Sequence, residues 1–171
     1  RRQRHPKRAV SMASDITVQL QGVDELRRIL AQVPDRLRRK GLLKALRLSA
    51  RLVRDEARRT APVRQKPKQN GRPGTVKRAI SIRTSKFARR AGDVGVFVNV
   101  RPLRGARQKR LGAAGANNPN DPYYWRFHEF GTRKLTARPF LRPAGSKLPQ
   151  VAETFIVAAT AEINRLNLGS P

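Results

Sequence analysis

Cysteine is absent from this chain of 171 residues. Neither a disulfide framework nor a thiolate metal site can form, and the fold needs no oxidising compartment. Histidine is almost as scarce, with only His5 and His128, so no histidine pair can hold a metal or build a base with its orienting partner. No apolar run approaches the ~20 residues of a membrane-spanning helix, and no signal-peptide core is visible, so the chain reads as soluble. Phosphate-binding loops of the Walker type, dinucleotide glycine fingerprints and serine elbows are also missing. The adjacent acids Asp55 and Glu56 point about 100° apart on a helix and do not converge on a substrate. His128 and Glu129 are neighbours without a third group. We therefore expect no enzymatic activity, no catalytic residue, no metal and no cofactor.

Acidic residues are few as well: 11 Asp and Glu stand against 39 Lys and Arg, for a formal charge of +28. That excess implies a polyanionic or electronegative neighbour. Residues 1–11, RRQRHPKRAVS, contribute Arg1, Arg2, Arg4, Lys7 and Arg8 with no acid. They precede Met12, a candidate start, and removing their five charges from +28 still leaves +23. The expected organisation is a disordered basic arm over 1–14 and one domain over 15–168, with 38% hydrophobic residues to close a modest core.

Along that domain, Ile16, Val18 and Leu20 alternate with polar residues as in a half-buried strand. Leu26, Ile29, Leu30 and Val33 recur at helical spacing behind Asp24 and Glu25. A long helix follows, about Pro34 to Arg59, with two faces. Leu42, Leu46, Ser49, Val53 and Ala57 form the stripe expected to pack on a sheet. Lys40, Lys44, Arg47, Arg51, Arg54 and Arg58 form a basic stripe that is a candidate polyanion contact. Residues 60–74 read as a mobile loop rich in proline and glycine. A short helical turn at 74–79 leads into a strand from Ile80 towards Phe87, which the turn Ala91-Gly92-Asp93 joins to a strand from Val94 to Val100. Residues 102–122 form a long loop, and a last helix begins at Pro149 and ends near Gly169. The fold class is α+β: a small antiparallel sheet packed against one long helix, with a C-terminal helix.

Aromatics are sparse and unevenly placed. Six of nine lie between Tyr123 and Phe140, in the stretch YYWRFHEFGTRKLTARPFLRPA. Gly131 permits a sharp change of direction, and Pro139 and Pro143 make residues 137–144 read as a stiff extended ribbon. Arg138 and Arg142, each before a proline, are expected to be extended, with guanidinium forks suited to carboxylates such as Glu129. About half the aromatics should complete the core. On this reading the residues before Gly131 fasten the sheet to its helices, and the ribbon after it presents Phe140 and the two arginines to another protein.

Glu129-Phe130-Gly131-Thr132 followed by Ala137-Arg138-Pro139-Phe140-Leu141-Arg142-Pro143-Ala144 resembles the signature of the tail-component or neck family of tailed phages of the Hong Kong 97 type. The likeness extends less sharply to Thr60-Ala61-Pro62 and to residues 74–80, where this chain has Gly74-Thr75, Val76 and Ala79-Ile80 in place of the usual Thr-Gly, Leu and Ser-Ile. The resemblance implies a structural virion protein, assembled in the host cytoplasm as a homo-oligomeric ring around the DNA passage at the head-tail junction. Its partners would be its own copies, neighbouring head-completion, tail-terminator or tail-tube proteins, and DNA in the channel. Glu129, Phe130, Gly131, Thr132, Arg138, Pro139, Phe140, Arg142 and Pro143 would then be the motif or subunit-interface residues. From charge alone, the competing expectation is a basic nucleic-acid-binding protein of ribosomal or architectural type. Against it, the aromatics are not interleaved with the basic loops.

Overall fold

Proline and glycine set the limits of the first helices. In a computed structural model that describes residues 22–63 and 73–168, Gly22 takes a left-handed conformation (φ +83°) and starts helix α1, Val23–Ala31. Its first turn holds Asp24 and Glu25, which favour the positive end of the helix dipole. Pro34 is the N-cap of α2, Asp35–Thr60, a helix of 26 residues. Then come α3 (Thr75–Ala79), strand β1 (Ile80–Thr84), α4 (Lys86–Arg90), strand β2 (Val96–Val100), α5 (Ala106–Leu111), α6 (Trp125–Phe130) and α7 (Leu141–Ala144). A 3-10 turn at Gly145–Lys147 leads into α8, Leu148–Leu168. The protein is α+β, with a two-stranded antiparallel sheet, a long helix against it and a C-terminal helix.

The sheet pairs Ile80 with Val100, Ile82 with Val98 and Thr84 with Val96 on one face. Alternation puts Ser81, Arg83, Phe97 and Asn99 on the other, where Arg83 stacks over the Phe97 ring. The expected hairpin therefore forms, but its first strand stops short of Phe87. Ser85 accepts a hydrogen bond from the Ala88 amide and caps α4, which contains Phe87. A serine cap competes with the strand ladder, and here it wins.

Helix α2 serves two half-cores. Its first half packs with α1 and α8 around Leu26, Val33, Ala45, Ala159 and Ile163. Its second half, with Ala57, and the C-cap residue Ala61 close over Val76, Ala79, Ile80, Val100, Phe140 and Ala144. The apolar stripe expected to lie on a sheet thus meets a helix along half its length, and its most extensive neighbour is α8. Gly41 lets that approach happen: a methyl there would lie 3.3 Å from Leu166 Cδ1 and 3.4 Å from Ile163 Cγ1. The last helix buries Ile156, Ala159 and Ile163. The strand at 16–20, the basic arm, most of the loop at 60–74 and the Gly169 cap lie outside the described residues.

The long loop 102–122 is more organised than its composition suggests. Asn118 donates to the Leu111 and Ala113 carbonyls at 2.7 and 2.8 Å, and buried Asp121 accepts from the Gly115 amide at 2.7 Å. Short Asx side chains replace the missing backbone ladder. Among the described residues no helix is long and apolar enough to cross a membrane.

Candidate functional site

The stretch 123–144 contains the most unusual buried group of the molecule. Glu129, on α6, is 2% exposed, and its carboxylate accepts three backbone amides. Phe140 and Leu141 donate to Oε2 at 2.8 and 3.0 Å, and Arg142 donates to Oε1 at 2.9 Å. These are the N-cap and first two residues of α7. A helix start leaves its first amides without intrahelical partners, and here Glu129 satisfies three, while the next residue, Pro143, has no N–H to satisfy. A carboxylate at that end also suits the helix dipole.

Two expectations are corrected by this geometry. Glu129 is held by backbone amides and not by the Arg138 or Arg142 guanidinium groups. The extended ribbon expected through Ala144 ends at Phe140, because Arg142 and Pro143 lie inside α7. The steric bias of a residue before proline is overcome where a buried carboxylate ties down the turn.

A third correction concerns the aromatics. Phe140, expected on the surface of the ribbon, is 0% exposed and packs among Ala57, Ala61, Ile80, Val100 and Ala144. The small residues around it leave room for one large ring. Conversely Phe130, placed before the turn, is 62% exposed, and the Arg142 guanidinium carbon lies 5.5 Å from its ring centre. Tyr123 and Phe127 are also exposed and meet edge to face at 6.3 Å. Tyr124 and Trp125 alone of that group pack against the core. Tyr124 and Trp125 thus fasten the core and Arg138 and Arg142 stay exposed as expected, while the roles expected of Phe130 and Phe140 are exchanged across Gly131.

Gly131 itself is required by the turn. Its φ is +74°, and a methyl there would lie 3.0 Å from both the Ala137 nitrogen and the Leu135 oxygen. Thr132 and Leu135 form an isolated bridge, and the Arg138 amide donates to the His128 carbonyl at 2.7 Å. Thr132, Arg138, Pro139 and Pro143 are exposed. Burial, and next the charge of Arg138, hold the His128 imidazole below the ordinary histidine range.

The basic stripe of α2 does not present one uniform face. Lys44 pairs with Glu162 of α8 at 2.6 Å, Arg47 donates to the Thr84 hydroxyl at 2.8 Å, and Arg58 donates to the Ile80 carbonyl at 2.8 Å. Arg54 is paired with Asp55 at 2.8 Å. Lys40 and Arg51 are exposed. Several of these cations therefore connect α2 to its neighbours. What sequence patterning missed is the tip of the hairpin, where α4 carries an exposed Phe87 among cations; the Ser85 cap was the available signal. Among the described residues, no cluster of three or more histidine or carboxylate groups could hold a metal.

No family model matches the chain, and no curated protein or solved structure matches it either.

Proposed function

We propose that this protein is a structural subunit of the phage virion, a neck or tail-completion component that acts by forming a ring around the DNA passage at the head-tail junction. The reading starts from the resemblance of EFGT and ARPFLRPA to the Hong Kong 97 type family. The observation that carries it further is the Glu129 lock: the two halves of the motif are joined through one carboxylate and three amides. The lock rigidifies a surface on which Phe130 and Arg142 are stacked and solvent-facing. A ring requires a head-to-tail interface that every subunit can repeat, and preorganised aromatic and arginine side chains are frequent anchors of such contacts. The subunit needs no catalytic step for this role.

Electron microscopy of the purified protein and of labelled virions tests the assignment. Rings, or density at the neck, support it; a monomer absent from virions sinks it. The interface is tested by Phe130→Ala and Arg142→Ala, both exposed, which should lower head-tail joining while leaving the fold intact. Full infectious titres from both variants would remove these residues from the contact.

A further inference from the structure

The hairpin tip is built as a rigid basic projection. The Ser85 amide donates to the Gly95 carbonyl at 2.8 Å, and the Asp93 amide to the Ala88 carbonyl at 2.8 Å. A methyl on Gly95 would meet the Ala88 Cβ at 2.9 Å, so α4 lies directly on the strand that returns from it. On α4, Lys86, Arg89 and Arg90 are spaced i, i+3 and i+4 and share a face, although like charges at that spacing oppose helix formation. All three are exposed, and none forms an ion pair with a carboxylate among the described residues. Asp93 is the only acid between residues 57 and 120.

The tertiary fold adds cations from far away in the chain. The Arg39 guanidinium of α2 reaches within 3.7 Å of where a side chain on Gly92 would begin, and Arg47 holds Thr84 at the base of the tip. Beside these cations stands Phe87, 84% exposed, the most exposed large hydrophobic residue of the described chain.

We propose that this tip is a binding surface for duplex DNA, with Lys86, Arg89, Arg90 and Arg39 on the phosphates and Phe87 seated in the groove against sugar and base edges. Cores of protein interfaces are depleted in charge, whereas DNA-binding surfaces are strongly positive, and one apolar residue among four cations matches the second pattern. A membrane surface is a poor fit, because a five-residue helix with one aromatic side chain has no apolar face to embed. Proteins that enter the minor groove use such a combination, with cations at the backbone and a Phe as apolar wedge. The site does not rest on the neck assignment: a neck ring whose tip ignores DNA, or a non-virion protein that binds through it, separates the two.

The test uses the full chain and a fluorescent duplex of 25 base pairs, titrated by anisotropy at several NaCl concentrations. The triple variant Lys86→Gln/Arg89→Gln/Arg90→Gln should weaken binding by more than about tenfold near 0.1 M salt and lower the log-log salt slope by roughly 2 to 3. A charge-matched control, Arg27→Gln/Arg28→Gln/Arg36→Gln, should change both much less. Phe87→Ala should weaken binding several-fold with the slope unchanged. Thermal melting of each variant confirms that these exposed substitutions leave the fold in place. Equal losses from the two triple variants would show a response to net charge alone and overturn the site. An unaffected Phe87→Ala overturns the groove contact, as would equal capture by phosphatidylserine vesicles through the same residues.

Discussion

Glu129 shows how one side chain can set the conformation of a distant segment. Its three hydrogen bonds come from donors that have no other partner at a helix start, so truncation leaves buried amides unsatisfied. Glu129→Ala should cost about 3 kcal/mol in urea unfolding, and Glu129→Gln, which keeps one acceptor, about 2 kcal/mol. Losses below about 0.5 kcal/mol would show that α7 does not depend on the carboxylate. Phe140→Ala should cost about 3 to 5 kcal/mol, since it empties a fully buried site between α2 and the sheet. A defect in assembly from that variant would therefore report the fold and not a surface contact. His128 provides a pH signature at the same scale. Its folded pKa lies below the unfolded value, so below about pH 6.5 the unfolded chain takes up the proton first. Stability should fall as pH is lowered through that range and be unaffected above it. Thermal melting of His128→Asn should show a flatter profile there; an unchanged profile would assign the loss to other groups.

Among the elements, α2 is the shared wall of two half-cores, and its fit against α8 depends on Gly41 and on the Glu162 contacts. Glu162 is pulled below the ordinary carboxylate range by hydrogen bonds from Arg165 and then Lys44. Its contribution is present above its unfolded value of about 4.5 and is lost as pH falls below it. Because Lys44 is exposed, Lys44→Met should cost no more than about 1 kcal/mol near neutral pH, while Ile163→Ala, at the same crossing, should cost about 2 to 5 kcal/mol. Chemical unfolding of the two variants should reproduce that order; the reverse order would mean that ion pairing, not packing, joins the helices. The position of α2 was legible because its period runs for many turns and Pro34 marks its start. The content of its faces was less so. Alternating stripes show which residues are apolar, but whether Arg47 and Arg58 meet solvent or a strand edge depends on a hairpin placed far along the chain.

For the whole molecule, a charge of +28 on 19.3 kDa means that the folded state confines like charges which the unfolded chain spreads apart. Screening should relieve this, so the melting temperature should rise between about 0.05 and 0.5 M NaCl as the Debye length shortens. A flat or falling melting temperature would mean that local ion pairs such as Arg59 with Glu56 already balance the field. In the proposed ring the same repulsion would act between subunits, so closure should be easier with a polyanion or high salt present.

Periods, caps and breakers were readable without a structure because they act between residues a few positions apart. They located α1, α2, the hairpin strands and α8, and they marked Gly131 as a turn. Burial was not readable in the same way. Phe130 and Phe140 are the same residue type in one motif, yet one is stacked under an arginine in solvent and the other is enclosed by alanines from α2 and α7. Which ring is enclosed depends on where Glu129 pins the start of α7, an interaction across eleven residues. Likewise the cations at the hairpin tip come from residues 39 and 86–90, and only folding brings those two segments together. Local sterics decide the elements; shared space among segments far apart in the chain decides which of their side chains remain available to a partner.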